Sequence, residues 1–318
     1  MVKFTVSYDY ELFWGMHRNL KDAYMRDSIS NANSAALKIF NLHEKLEFPA
    51  TWAVVGIAVD DPCSQEEYEY FLKHYKEPVS AEMKVLFDEC VSRTELSSIS
   101  SLFQKLKASM LQEIGSHTYY HTFFDDHAAD SYLGIHDFEK FHQMAGREGF
   151  SPASFVCPKN IFSDSLTPVL LQYGFKIVRV NPDNALYNGL APRNVSTLNR
   201  VFRVLDFFTP INELLNLVTF RAPSYWKNLK NGDLKFSIAT LFFRGATDYW
   251  SLNELALLRF KLHCKLSILF GKDIHLWTHP HNFGRSTEAS LHLFERYLNH
   301  VKNLESKGIL SIKSMGDL

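Results

Sequence analysis

The chain has 318 residues, 46% of them hydrophobic and 22% charged, a composition with enough apolar side chains for a large core and too many for intrinsic disorder. A formal net charge of −1 provides no bulk positive field to hold a polyanion, which sets nucleic acid aside as a partner. Cys63, Cys90, Cys157 and Cys264 stand far apart without CxxC spacing, so neither a zinc knuckle nor a disulfide framework is expected, and a reducing compartment fits.

The N-terminal MVKFTVSYDYELFWG begins as a strand, and Asp9 and Glu11 interrupt it before it could serve as a signal-peptide core. No stretch approaches the roughly 18 apolar residues of a membrane span, since FPATWAVVGIAV is broken by Pro49, Thr51 and Gly56. A cytoplasmic protein is the expectation. Further strand-like runs recur at Ala50 to Val55, Glu113 to Ser116, Ser154 to Cys157, Phe175 to Val180, Val201 to Phe207, Ile274 to Thr278 and Ile309 to Ile312. Helical patterns lie between them. One runs from Thr287 to Leu304, and another from about Asp164 to Tyr173 with Ser163 as its N-cap and Gly174 past its end. Strand followed by helix, repeated, argues for parallel strands joined by crossovers, as an open sheet or a closed barrel.

Two intervals break the rhythm. The polar helical sequence from about Asp60 to Met110 reads as a helical insertion. The interval from about Pro182 to Phe270 carries ELALLRFKLHCKLSILF, whose interleaved basic and apolar residues suit either a surface helix or contact with an anionic or lipid-linked substrate.

The chemistry concentrates at strand ends. In EIGSHTYYH, His117 and His121 are four apart; on one helical turn they would face the same way and share a metal, although with 14 histidines such spacings also arise by chance, as at His275/His279. Their position after a strand-like run is what matters, because sites in α/β folds are built at the carboxyl ends of parallel strands. Asp9 and Glu11, two apart on an extended chain, point to the same side and offer a carboxylate pair. A His₂-carboxylate set favours zinc with an open position for water, and the second carboxylate can take that water's proton. In IHLWTHPHNF, His279 stands last before Pro280 and can protonate a departing amine.

SYDYE, ATWAVVG, EIGSHTYYH, SFVCPKN with LLQYGFKIVRV, and HLWTHPHNFG occur in the order seen in the polysaccharide deacetylase family (NodB homology, carbohydrate esterase family 4), which the sequence resembles over nearly its whole length. The resemblance implies a single catalytic domain, residues 1–318, folded as a distorted (β/α)7 barrel around a divalent metal, usually zinc, that hydrolyses an N-acyl group from a sugar. By its motifs His117 and His121 are metal ligands, Asp9 the catalytic base and His279 the catalytic acid. The second aspartate of the usual Asp-Asp pair falls on Tyr10, so Glu11 takes its place at the metal, as in branches with an acidic-x-acidic motif. The motif arginine that orients the base falls on Val156, leaving Lys159 or Asn160 to substitute, and the Lys159 backbone N–H is placed to stabilise the oxyanion. FRAPSYW, Phe220 to Trp226, lies out of order and is set aside as a second copy of that motif. Thr51 and Trp52 pack beside the site or in the plain core, and Asp183 matches an acidic position supporting the acid histidine.

The expected function is therefore a metal-dependent amidohydrolase acting on an N-acylated sugar. Without an export signal, that sugar is expected to be a nucleotide-linked or lipid-linked precursor of a surface polysaccharide. Two alternatives stay open: a same-fold hydrolase of a small cyclic amide or formamide, and a catalytically silent sugar-binding protein, to which Tyr10 and Val156 point.

Overall fold

The structure, a computed structural model of the chain, describes residues 1–16, 22–60, 64–74, 81–124, 132–160, 162–163, 165–182 and 234–318. Nine strands are described: β1 (Val2–Tyr10), β2 (Ala50–Val54), β3 (Gln112–Ser116), β4 (Ser154–Val156), β5 (Ile177–Val180), β6 (Lys235–Ile238), β7 (Leu241–Phe242), β8 (Ile274–Thr278) and β9 (Leu310–Ile312). Every pairing between them is parallel, in the order β6-β5-β4-β3-β2-β1-β8-β7, with β9 added beside the start of β1. Helices intervene: α1 (Leu12–Met16), α2 (Ala23–Ser30), α3 (Ala32–Lys45), α4 (Gly56–Val59), α5 (Gln65–His74), α6 (Ala81–Ser92), α7 (Thr94–Ser97), α8 (Ser100–Ala108), α9 (Tyr132–Glu148), α10 (Leu166–Gln172), α11 (Trp250–Leu269) and α12 (Thr287–Ser306). Helices α5 to α8 occupy the interval read from sequence as a helical insertion.

The fold is the distorted (β/α)7 barrel that the family resemblance implies, one of the two arrangements left open by the strand–helix rhythm, and the distortion lies in how it closes. Residues 235–238 pair with β5, the Ala239 N–H donates to the Val180 carbonyl, the Thr240 N–H donates to the His275 carbonyl, and residues 241–242 pair with β8. One extended segment thus passes from one edge of the sheet to the other and leaves seven positions around the ring. Neither β6 nor β7 was anticipated from sequence, because each half of the segment is too short and too mixed in polarity to read as a strand. The strand expected at Val201 to Phe207 lies outside the described residues.

Alternation along β1 sorts the barrel wall from its lumen. Phe4, Val6, Tyr8 and Tyr10 face the helices, where Phe4 packs edge-on against Phe48 and Phe260 and Tyr8 stacks on Trp52 at 4.3 Å between centroids. Ser7 and Asp9 face the lumen. The amino-terminal mouth of the barrel is closed by the chain's own end: the Met315 N–H donates to Thr51 Oγ1, the Gly316 N–H to Glu113, and Met315 packs with Ala53, Val156 and Ile177. Thr51 and Trp52 accordingly belong to the barrel floor and the outer core, not to the site.

Local boundaries differ from the sequence reading in one instructive place. Helix α10 starts at Leu166 after Ser165 rather than after Ser163, and Ser163 contributes its carbonyl to the Leu166 N–H while its hydroxyl meets that of Ser165 at 3.0 Å. Gly174, just past the helix, adopts the left-handed conformation (φ 79°) that ends it.

Candidate metal and catalytic site

All the candidate residues sit at the carboxyl ends of the strands. Asp9 is the last residue but one of β1 and Glu11 lies just beyond the strand, His117 follows β3, Val156 ends β4, and His279 follows β8. The backbone is strained at this rim and almost nowhere else. Of the six non-glycine residues with left-handed φ among those described, Leu12, Thr118, His121, Lys159 and Asn160 flank the site, and only Glu47 lies away from it.

Glu11, His117 and His121, all buried, offer ligand atoms that lie within 4.8 Å of one another. Glu11 Oε2 is 2.8 Å from His121 Nε2 and 3.4 Å from His117 Nε2. His117 Nδ1 donates to the Val156 carbonyl at 2.8 Å, which fixes the tautomer and leaves the Nε2 lone pair facing Glu11 with no hydrogen-bond partner. Two imidazoles and a carboxylate, buried and with such a nitrogen, form the donor set that a divalent transition metal takes. The donors therefore fit a metal ion. Gly15 makes room for this arrangement, since a Cβ there would collide with the Glu11 carboxylate.

The two histidines do not share a helical turn. They lie in a loop that turns twice through left-handed residues, Thr118 at φ 66° and His121 at φ 56°. Asp137 of α9, fully buried, clamps that loop. Its carboxylate accepts the Tyr119 N–H at 2.5 Å, the Tyr120 N–H at 3.0 Å and the Thr122 hydroxyl at 2.6 Å. The Thr122 N–H in turn donates to Thr118 Oγ1, and the Thr118 carbonyl accepts the Gly56 N–H. No sequence signal marked Asp137, because its role depends on packing α9 against a loop more than ten residues away.

Asp9 has a different partner. Arg179 of β5, fully buried, forks onto it with two N–H···O bonds of 2.6 Å each. The same guanidinium donates to Ser7 Oγ and to Asn160 Oδ1, both at 2.9 Å, and lies 4.7 Å from the centroid of the Trp277 ring. Arg179 thus makes the contact to Asp9 for which Lys159 or Asn160 stood as candidates: Asn160 contacts the arginine, not the carboxylate, and the Lys159 ammonium sits over the Phe123 ring at 3.7 Å. The arginine reaches Asp9 from the strand next to the one that carries Val156, paired with it in register.

Charges in the cluster hold one another. Burial opposes ionisation of Asp9, but Arg179, His117 and His279 outweigh it and lower its pKa. Burial is likewise overcome at Glu11, where the neighbouring His121 and His279 bring the pKa well below the usual carboxylate range. His117 is shifted upward by Asp9 and Glu11 against burial, whereas at His121 burial prevails and the shift is downward. His279 Nε2 lies 3.7 Å from Asp9 Oδ2 and 3.5 Å from Glu11 Oε1, and the Asn282 amide approaches its Nδ1 at 3.4 Å. The carboxylate oxygens facing Nε2 only accept, so they favour a proton on that nitrogen.

A second buried layer supports this one. His275 Nε2 meets Ser7 Oγ at 2.7 Å and His275 Nδ1 meets Ser237 Oγ at 2.6 Å. Ser7 Oγ thus joins His275 to the Arg179 guanidinium, and Ser237 Oγ holds the other ring nitrogen. Asp183 and the segment Phe220 to Trp226 lie outside the described residues.

No protein-family model and no curated protein matches the sequence. Several solved structures align with it over most of its length. A protein from Mycobacterium smegmatis assigned to the polysaccharide deacetylases aligns at a TM-score of 0.52 and 12% identity, over 99% of this chain and 87% of its own. PuuE allantoinase aligns at 0.49 and 11%, over 98% and 87% respectively. A family 4 acetyl xylan esterase from Clostridium thermocellum, in complex with a cobalt ion, aligns at 0.35 and 10%, again over 98% and 87%. At 12% identity the Mycobacterium smegmatis structure speaks for a common fold and for nothing finer.

Proposed function

We propose that the protein is a metal-dependent hydrolase that removes an N-acyl group, in the first instance N-acetyl, from a sugar. The observation that carries the reading is the meeting of Glu11, His117 and His121 in one buried cluster with Asp9 and His279 beside it. The fold shared with the Mycobacterium smegmatis protein agrees with it.

Glu11, His117 and His121 would hold the ion, for which zinc suits the donors. Bound there, it supplies Lewis acidity to a water and to the acyl carbonyl. Asp9 takes the proton of the attacking water. Arg179 keeps Asp9 ionised and fixes both of its oxygens, so the base is charged and aimed before the substrate arrives. The Lys159 backbone N–H is the donor we assign to the carbonyl oxygen as it gains charge. His279, whose Nε2 faces the carboxylates, delivers a proton from that nitrogen to the departing amine. We assign the substrate to the nucleotide-linked or lipid-linked sugars and the reaction to the cytoplasm.

The test is acetate release from N-acetylated oligosaccharides and from nucleotide- and lipid-linked N-acetyl sugars by zinc-loaded protein, run beside ring opening of allantoin and of cyclic imides. Deacylation that requires Asp9 and His279 is the expected result. Ring opening without deacylation would move the protein to the cyclic-amide hydrolases. Failure of the purified protein to take up zinc would remove the reading altogether.

A further inference from the structure

Helix α11, WSLNELALLRFKLHCKLSIL, has a well-anchored inner face. Ala256, Leu257, Phe260 and Cys264 are buried, Phe260 stacks on Tyr297 of α12 at 4.1 Å, and Arg296 of α12 forks onto Glu254. A helix so placed on a barrel ordinarily turns charged residues outward. This one turns out leucines. Leu255, Leu258, Leu262 and Leu269 follow one another by three, four and seven residues, so they form a single stripe, and all four are exposed, Leu258 by 63% and Leu269 by 71%. Tyr249 and Trp250 (74% exposed) stand at one end of the stripe and Phe270 at the other.

We propose that this outer face of α11 docks on an anionic lipid surface. Glu254, the helix's sole acidic residue, is neutralised by Arg296, and every other charged residue of the helix (Arg259, Lys261, Lys265) is basic. Lys261 and Lys265 are exposed beside the leucines. Leucines to enter the acyl boundary, tyrosine and tryptophan at headgroup depth and lysines toward anionic headgroups are the elements of an interfacial helix. None of the described helices is long and apolar enough to cross a membrane, so α11 lies along the surface. A second copy of the chain fits less well. Pairing two such helices about a two-fold axis would set lysines against lysines with no unpaired acid on the helix to answer them. The helix leads from the carboxyl end of β7 to the amino end of β8, so its Tyr249–Trp250 end lies on the side of the barrel that carries the site.

Sedimentation of the full-length protein with vesicles tests this, using phosphatidylcholine alone against phosphatidylcholine mixed with phosphatidylglycerol. The expected result is binding to the mixed vesicles only, weakened by salt, and reduced at least about tenfold by the double substitution Leu258→Asp/Leu262→Asp with an unchanged unfolding midpoint. Lys261→Glu/Lys265→Glu should abolish the preference for the anionic lipid. The proposal is overturned if the wild-type protein stays in solution with both vesicle types, if it binds both equally, or if the aspartate pair leaves binding intact. It is also overturned if light scattering shows a dimer that the aspartate pair dissociates, which would assign the stripe to a second copy. None of these readouts depends on hydrolysis, so the docking surface and the reaction stand or fall separately.

Discussion

Two layers of the same barrel contain buried histidines, and they treat them differently. At the rim, His117 Nε2 and His121 Nδ1 have no hydrogen-bond partner. Deeper in the lumen, both nitrogens of His275 are matched by serine hydroxyls, and Arg179 ties that layer to Asp9 above it. Buried polar atoms are ordinarily paired. His117 Nε2, the unmatched nitrogen that faces Glu11, therefore marks the place for a ligand, and the matched layer marks the support on which the site rests. If the division is real, substitutions at the rim should remove function and spare stability, and those beneath should do the reverse.

The sharpest contrast is between two histidines. His117→Ala removes a donor, and the expected outcome is loss of stoichiometric zinc by elemental analysis and hydrolysis at background, with the protein still folded. His275→Gln should keep the metal and lower the unfolding midpoint. Loss of zinc from both variants alike would erase the distinction.

Arg179 belongs to both layers and should show both effects. Breaking a buried ion pair by removing one partner costs about 3–5 kcal/mol, so Arg179→Met is expected to lose stability on that scale in urea unfolding near neutral pH, and kcat should fall with it. Arg179→Lys keeps the charge but not the fork and should recover part of each. The sign with pH follows from the lowered pKa of Asp9. A carboxylate held down in the folded state contributes stability above its unfolded pKa of about 3.9 and loses it as pH falls through the folded value. The wild-type protein should thus lose stability on the acid side while Arg179→Met, which has already lost that contribution, shows a flatter profile.

Asp137 offers an intermediate case. It touches no candidate ligand, yet three donors of the histidine loop converge on its carboxylate. Asp137→Asn cannot accept from all three, and zinc affinity by isothermal titration is expected to fall by roughly 10- to 100-fold, the usual scale for groups that orient metal ligands. An unchanged affinity would mean that Thr118 and His121 keep their left-handed conformation without the clamp.

What the sequence disclosed follows the same lines. Glu11, His117, His121 and Asp9 were legible because each pair is close in sequence and stands at the end of a strand-like run, and His279 because a proline marks where its strand stops. The helical turn expected between His117 and His121 is absent, since the loop is shaped by α9 and by the edge of β2, which local spacing does not encode. Arg179 lies within KIVRV, with no motif around it. A signal was present: strands of a parallel barrel are covered on both faces, so a lone arginine among Ile177, Val178 and Val180 has to find a carboxylate. Which carboxylate it finds depends on β5 facing β1 across the lumen, and only closure of the ring supplies that. Closure itself was illegible because residues 235–242 divide their hydrogen bonds between two partners, four residues to one and two to the other.

The smallest expected effect tests the lower layer alone. Ser237 contacts His275 and neither Asp9 nor any candidate ligand among its described hydrogen bonds. Ser237→Ala leaves Nδ1 of a buried imidazole without its hydrogen-bond partner, at a cost of about 1 kcal/mol in unfolding near neutral pH. Burial and the neighbouring Arg179 hold the His275 pKa well below 6.5. A neutral base of this kind contributes stability above its unfolded pKa of about 6.5 and loses it as pH falls toward the folded value. The serine-to-alanine deficit should therefore be present at neutral pH, with zinc affinity and the ratio of kcat to KM unaltered. Should Ser237→Ala weaken zinc as Asp137→Asn does, His275 would be acting on the rim through Ser7 and Arg179, and the two layers would have to be treated as one unit.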